Sequence, residues 1–333
     1  MKSPLLHRWA VALVAAAGFG ACTIASAFPI VLTQAGIDKG FSISTVVSGM
    51  AGGTPSCCYV LGSAVTSDGK ILLNNGNDGQ NYLFNNADNQ VKANAISSAS
   101  NNGAFPTAMA TANGKTYASG SNLRLLNNDG STQTTYSGIT MYAGMWTNQA
   151  NQHLVGVGYA DGVGSGLLDV DVSGGTPVAR LINGAGSDGV TVSPDGSIVY
   201  TNDGAYRFSD GVQIGSFFVG GADGMGVIAS NNDLNGDVVV STTDGRLILL
   251  DVDNNYAQTE IANGGGYGDF ASPDFTNGTL LFSSGDMLMR LSCGAGCGVG
   301  SVNPDPSVPE PASLALVGIA LVGMSYRRVR KNA

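Results

Sequence analysis

Three short segments of this 333-residue chain place an aspartate just ahead of a β-branched or small-residue run. They read Gly186-Ser-Asp-Gly-Val-Thr-Val-Ser193, Gly221-Ala-Asp-Gly-Met-Gly-Val-Ile-Ala-Ser230 and Gly266-Tyr-Gly-Asp-Phe-Ala-Ser272. Counted back from the closing serine, Asp188 is five residues away, Asp223 seven and Asp269 three. These offsets differ by two, the period of a strand, so the three carboxylates share one face if the strands extend that far. Three converging carboxylates among glycine carbonyls suit Ca²⁺, a hard cation that takes oxygen ligands. The competing reading is that they cap turns in glycine-rich loops. Of the 24 acidic residues 22 are aspartate, and aspartate is a turn former before it is a ligand.

The other candidate constellations fail on spacing. Asp251-Val-Asp253-Asn-Asn255 begins like a calcium loop, but Tyr256 stands where the glycine belongs and Ala262 where the bidentate glutamate belongs. Asp233-Leu-Asn235-Gly-Asp237 also misplaces its glycine, so both read as turns. His153 opens the run His-Leu-Val-Gly-Val with no G-x-S-x-G nucleophile elsewhere, and reads as a strand-end residue. Tyr142, Trp146, Tyr206 and Tyr267 are aromatic candidates for stacking on sugars or for packing. No catalytic residue and no cofactor site is assigned. Cys57, Cys58, Cys293 and Cys297 lack Cys-x-x-Cys spacing, which argues against structural zinc. Cys293 and Cys297 flank three small residues, so a local disulfide is expected, with pairing to Cys57 or Cys58 as the alternative.

The elements that must hold these residues come from a repeat. A small-residue strand, an Asx/Gly turn and a β-branched strand recur, followed by two more strands. The clearest copy is Val190-Thr-Val-Ser-Pro-Asp-Gly-Ser-Ile-Val-Tyr-Thr201. Asx-Gly between two β-branched runs is a strong hairpin signal, because a tight primed turn needs positive φ. The turn glycines 69, 114, 196, 236 and 278 lie 40 to 45 residues apart where copies are adjacent, and the gap from 114 to 196 fits two copies. The third copy is blurred, with Asn148-Gln149-Ala150-Asn151 at its turn. In the first copy the fourth strand is expected at Gln90–Ile96. A period near 40 with four short strands predicts an all-β fold, a six-bladed β-propeller with seven blades as the alternative. The last copy lacks its fourth strand, and an orphan alternating run, residues 41–48, precedes the first. The orphan is expected to close the last blade and so remove the free edges.

Both ends lie outside this repeat. Lys2 and Arg8, the apolar run from Trp9 to Gly20 and Ala25-Ser26-Ala27 predict a signal peptide over 1–27, leaving Phe28 as the mature start. Cys22 offers a rival lipoprotein cleavage, although Phe19-Gly20-Ala21 matches it poorly. The propeller then covers 28–300 and a linker 301–307. From 308 to 333 the chain reads Val-Pro309-Glu310-Pro311, an uncharged apolar segment over 312–326, then Arg327, Arg328, Arg330 and Lys331. As a helix the apolar part spans about 22 Å, short of the ~30 Å hydrocarbon core, with its cationic end cytoplasmic. The mature part holds nine Lys+Arg against 24 Asp+Glu, a net charge of −15. Such a domain is a poor candidate for binding nucleic acid or anionic lipid.

The order Pro-Glu-Pro, short apolar helix, basic end resembles the PEP-CTERM sorting signal of Gram-negative bacteria. The resemblance implies signal peptidase and exosortase as export partners and transient insertion of 312–326 in the inner membrane. It also implies delivery to the cell surface, the outer membrane or the extracellular matrix. The fourth copy resembles YVTN and gluconolactonase-type propeller repeats, in which Ser-Pro-Asp-Gly joins the inner two strands. That family needs a channel glutamate, and this chain offers only Glu260, on an expected outer strand, and Glu310 in the tail. The sequence therefore favours a non-enzymatic binding or structural module, with a glycan or surface protein as partner in an exopolysaccharide or biofilm matrix. The alternative is a lactonase-like hydrolase or lyase acting on extracellular polysaccharide or lactone.

Overall fold

The computed structural model describes residues 30–51, 59–101, 108–230, 232–294 and 297–299. The expected signal peptide, linker and sorting tail lie outside them. The chain opens with β1 (Val31–Leu32), a short helix α1 (Gln34–Asp38) and β2 (Ser42–Ser48). Blade 1 holds β3 (Val60–Val65), β4 (Ile71–Asn75), β5 (Gln80–Phe84) and, after the excursion β6 (Gln90–Val91), β7 (Ser97–Ser100). Blade 2 is β8 (Met109–Ala112), β9 (Lys115–Ala118), β10 (Leu123–Leu126) and β11 (Thr132–Tyr136). Blade 3 is β12 (Ile139–Asn148), β13 (His153–Ala160), β14 (Gly164–Asp171) and β15 (Val178–Asn183). Blade 4 is β16 (Val190–Val192), β17 (Ile198–Thr201), β18 (Gly204–Arg207) and β19 (Gln213–Ser216). Blade 5 is β20 (Ala222–Ser230), β21 (Val238–Thr242), β22 (Leu247–Asp251) and β23 (Ala257–Asn263). Blade 6 is β24 (Ala271–Asp274), β25 (Thr279–Ser284) and β26 (Met287–Ser292), with β27 (Cys297–Val299) following.

Each blade is an antiparallel meander, and the innermost strands β3, β8, β12, β16, β20 and β24 touch in that order before β24 returns to β3. The ring therefore has six blades, not seven. The turns follow from their chemistry: Gly69 and Gly196 both sit at φ 77, where a side chain is strained. The third copy is blurred in sequence because Gln152 takes the positive φ that glycine takes elsewhere. Every residue of β3, β4, β21 and β25 is buried, since each blade face packs against a neighbour.

Closure is as expected from the orphan strand. β2 pairs antiparallel with β26, from Ser42 opposite Ser292 to Val47 opposite Leu288. Val46 and Val47 are fully buried there. One expectation is corrected: the fourth strand of blade 1 is β7, and Gln90–Val91 instead pairs parallel with β2 of blade 6. The Asn94 carboxamide accepts from Val91 N at 2.8 Å and turns the chain at that point, so the run cannot continue as one strand. The same excursion delivers Asn86 and Asp88 to the buried Arg290, which also donates to the fully buried Asp274 at 2.7 Å. Outside the ring β1 pairs with β23, and β27 pairs with the far end of β20. Among the described residues no helix is long and apolar enough to cross a membrane.

Candidate functional site

The inner strands approach so closely at one level that side chains are excluded. Gly144 N donates to the Asp188 carbonyl at 2.5 Å, and a Cβ on Gly144 would lie 2.4 Å from that oxygen. A Cβ on Gly189 would lie 2.1 Å from the Asp223 carbonyl oxygen, and one on Gly224 would lie 2.2 Å from Phe270 C. Each glycine therefore lets one blade meet the next through backbone alone. Asp188 and Asp223 immediately precede two of these glycines, and Asp269 precedes Phe270.

This geometry brings the three sequence-predicted aspartates into one electrostatic group. Asp188 is exposed, Asp269 is half-buried and Asp223 is buried. Burial pushes the Asp223 carboxyl well above the usual carboxylate range, and the charges of Asp269 and Asp188 push it further. Tyr267 hydrogen-bonds to Asp223 and opposes that rise. Asp269 is pushed up to about 7, first by burial and then by Asp188. Its backbone N–H donates to Ser283 Oγ at 2.7 Å, yet its Oδ2 is buried and accepts no hydrogen bond. A buried carboxylate oxygen without a donor is costly, and the cost falls when a cation or donor arrives.

Asp188 and Asp269 line a small pocket of about 10 Å³, room for roughly one water, shared with Met109, Met145, Met225 and Phe270. The lining is therefore partly acidic and partly apolar. The sequence reading missed the apolar side. Its signal is a methionine directly after a small residue at 108–109, 144–145 and 224–225, in the same inner-strand segments. Among the described residues, no three His, Cys, Asp or Glu side chains stand close enough to hold a metal ion together.

The remaining candidates lie elsewhere. Asp237 is buried, accepts from Val252 N at 3.0 Å and is pushed up to about 6 by burial. Asn255 and Tyr256 both take positive φ, so the Asp251-Val-Asp253-Asn-Asn255 run is a tight turn. His153 begins β13, with Nδ1 2.8 Å from Asp169, whose other oxygen is held by Arg180. Trp146 and Tyr206 are buried, whereas Tyr142 is exposed. Glu260 lies on β23, an outer strand. Cys293 is disulfide-bonded. The expected pairing with Cys297, and the Cys57 and Cys58 alternatives, lie outside the described side chains.

Residues 307–331 match the PEP-CTERM protein-sorting motif. The motif implies an exported exosortase substrate, transiently anchored by its tail before cleavage. No curated protein matches the chain. Among solved structures, a gluconolactonase from Xanthomonas campestris is similar at 13% identity and TM-score 0.54, covering 81% of this chain and 99% of the other. A structural-genomics protein of unknown function from Bacteroides thetaiotaomicron is similar at 14% identity and TM-score 0.50, covering 76% of each chain. A streptogramin B lyase matches at 13% identity and TM-score 0.46, covering 76% of this chain and 97% of the other. At such identities the likeness of the first two is one of fold.

Proposed function

We propose that this exported chain is a non-enzymatic binding module, displayed at the cell surface or in the extracellular polysaccharide matrix. In this reading signal peptidase removes 1–27, exosortase removes the tail from near Pro311, and the propeller of 28–300 is the delivered part. The channel mouth is the binding site, with Asp188, Asp223 and Asp269 taking a positively charged ligand. One observation carries this reading: the buried Asp269 Oδ2 has no donor, while its neighbours at the mouth add negative charge. Ca²⁺ is the metal such oxygens would take, and it would have to draw the three carboxylates closer together than they stand.

A second reading, a lactonase-like hydrolase or lyase, rests on a different observation. Asp269 is pushed up to about 7, where a general acid or base works best at neutral pH. The test begins with intact-mass analysis of mature material from the native host, expected to span Phe28 to about Pro311. Retention of 312–333 would rule out exosortase processing. Melting of that material with millimolar CaCl₂ against matched NaCl then probes the mouth. Turnover on a lactone and polysaccharide panel, lost in Asp269→Asn, would replace the binding reading with the enzymatic one.

A further inference from the structure

Outer strands of five blades share one irregularity, a bulge in which a single residue has no partner across the ladder. The extra residue is Gln133 in blade 2, Ile182 in blade 3, Ile214 in blade 4, Ile261 in blade 5 and Val46 in the strand that closes blade 6. Gln133 is polar and exposed, so water serves it. Of the four apolar residues three are covered: Val46 and Ile261 are fully buried, and Ile182 is 7% exposed. Chain from elsewhere lies against each of them. Thr33 N donates to Ile261 O at 3.0 Å, Gly211 packs on the Ile182 carbonyl, and β6 pairs beside Val46. Ile214 is the exception, at 45% exposed. Among the described residues its strand β19 ends the sheet of blade 4 with no further strand beside it.

The uncovered surface extends along the chain in both directions. Val212 is 49% exposed, and Phe218, just past β19, is 78% exposed. Gly215 and Phe217 between them pack on Tyr256, and Gln258 donates to the Phe218 carbonyl at 2.8 Å. The Phe218 ring is thus presented to solvent from a fixed backbone. An open edge with an apolar stripe, and with no lysine or proline on it, is a template for another strand.

Two features select the occupant. The stripe complements itself about Gly215. A second copy of the strand, antiparallel to the first, sets Ile214 opposite the second copy's Ser216 and Val212 opposite its Phe218, so a large side chain meets a smaller one each time. The charges match as well. Asp210 pairs with Arg207 before the stripe, and beyond it Arg246 donates to Gly220 O at 3.2 Å while pairing with Asp244 and Glu260. A two-fold axis brings these two ends together, so each copy's arginine meets the other copy's carboxylates. Two arginines against three carboxylates leave this seam close to neutral, on a domain that otherwise repels its own kind at −15.

We infer that this chain forms a two-fold dimer through the β19 edge, with Val212, Ile214 and Phe218 of both copies buried between them. The edge lies on an outer strand and the three aspartates precede inner ones, so the dimer does not depend on a cation.

The experiment is sedimentation velocity of the purified mature protein over a micromolar concentration series, with melting measured at the dilute end. The mass is expected to rise with concentration to twice that of the monomer. Ile214→Lys and the charge-neutral Phe218→Ser, both at exposed positions, are expected to weaken association at least tenfold and to leave the dilute melting temperature unchanged. Val178→Lys, at an exposed apolar position on β15, is the control and is expected to change neither. A monomer at every concentration overturns the inference. So does a dimer that survives both variants, or one that Val178→Lys weakens as much. A complex with a second kind of chain in material from the native host, lost in Ile214→Lys, gives the edge to another protein and also overturns it.

Discussion

Blades 4 to 6 and blades 1 to 3 share a backbone plan and differ at one level of the inner ring. In both halves a glycine lets one inner strand touch the next: Gly62 and Gly144 in the first half, Gly189 and Gly224 in the second. The residue before that glycine is Leu61 or Ala143 in the first half, and Asp188 or Asp223 in the second. Leu61 is buried like a core residue. The glycine is thus a requirement of the ring, and the carboxylate is not. Asp223 is buried beside two other carboxylates, a cost that a turn-capping role does not explain.

The largest expected effect lies at the 6/1 seam, where the acidic half meets the neutral one. Arg290→Ala would leave the fully buried Asp274 without its cation, and breaking a buried pair costs about 3–5 kcal/mol. Denaturant unfolding should show that loss as a lowered midpoint. A variant as stable as the parent would mean that the apolar contacts of β2 close the ring alone.

Gly189→Ala comes next, because its Cβ would meet the Asp223 carbonyl, and overpacking of this kind costs about 3 kcal/mol. Gly186→Ala, three residues away with nothing within 4 Å, should be near neutral. Equal effects on the melting temperature would show that the glycine level is not where the blades touch.

Charge removal should work in the opposite direction from these two. Asp269 and Asp223 bind protons in the folded state that the unfolded chain, with carboxyls near 3.8, has already released. Their contribution to stability is therefore full below about pH 4 and lost as pH rises to about 7. Asp237, pushed up to about 6, acts in the same direction. Asp269→Asn should flatten the decline and stabilise by about 1 kcal/mol at pH 8. In the neutral half, Leu61→Ala should destabilise at every pH. A decline unchanged by Asp269→Asn would place the titration outside the mouth.

Tyr267→Phe should match Asp269→Asn in size and oppose it in sign. It removes one hydrogen bond to Asp223, worth about 1 kcal/mol. Thermal melts at pH 8 should register it, and no change would mean that water replaces the hydroxyl.

The sequence by itself determined the repeat, the closing strand and the sorting motif, and it left six blades against seven for the structure to decide. Those features are local: an Asx-Gly pair fixes a hairpin and a period of about 40 residues fixes a blade, whatever the neighbours do. It also put Asp188, Asp223 and Asp269 at matching strand starts, because strand spacing of two is a local rule. Only the tertiary structure decided which of them is exposed, which is buried and which oxygen lacks a donor. Those depend on Tyr267, Ser283 and the methionines of blades 2, 3 and 5 arriving from far along the chain. The Gln90–Val91 excursion was likewise illegible, since its partner β2 lies in another blade and pairs with it through backbone atoms that no side-chain pattern encodes.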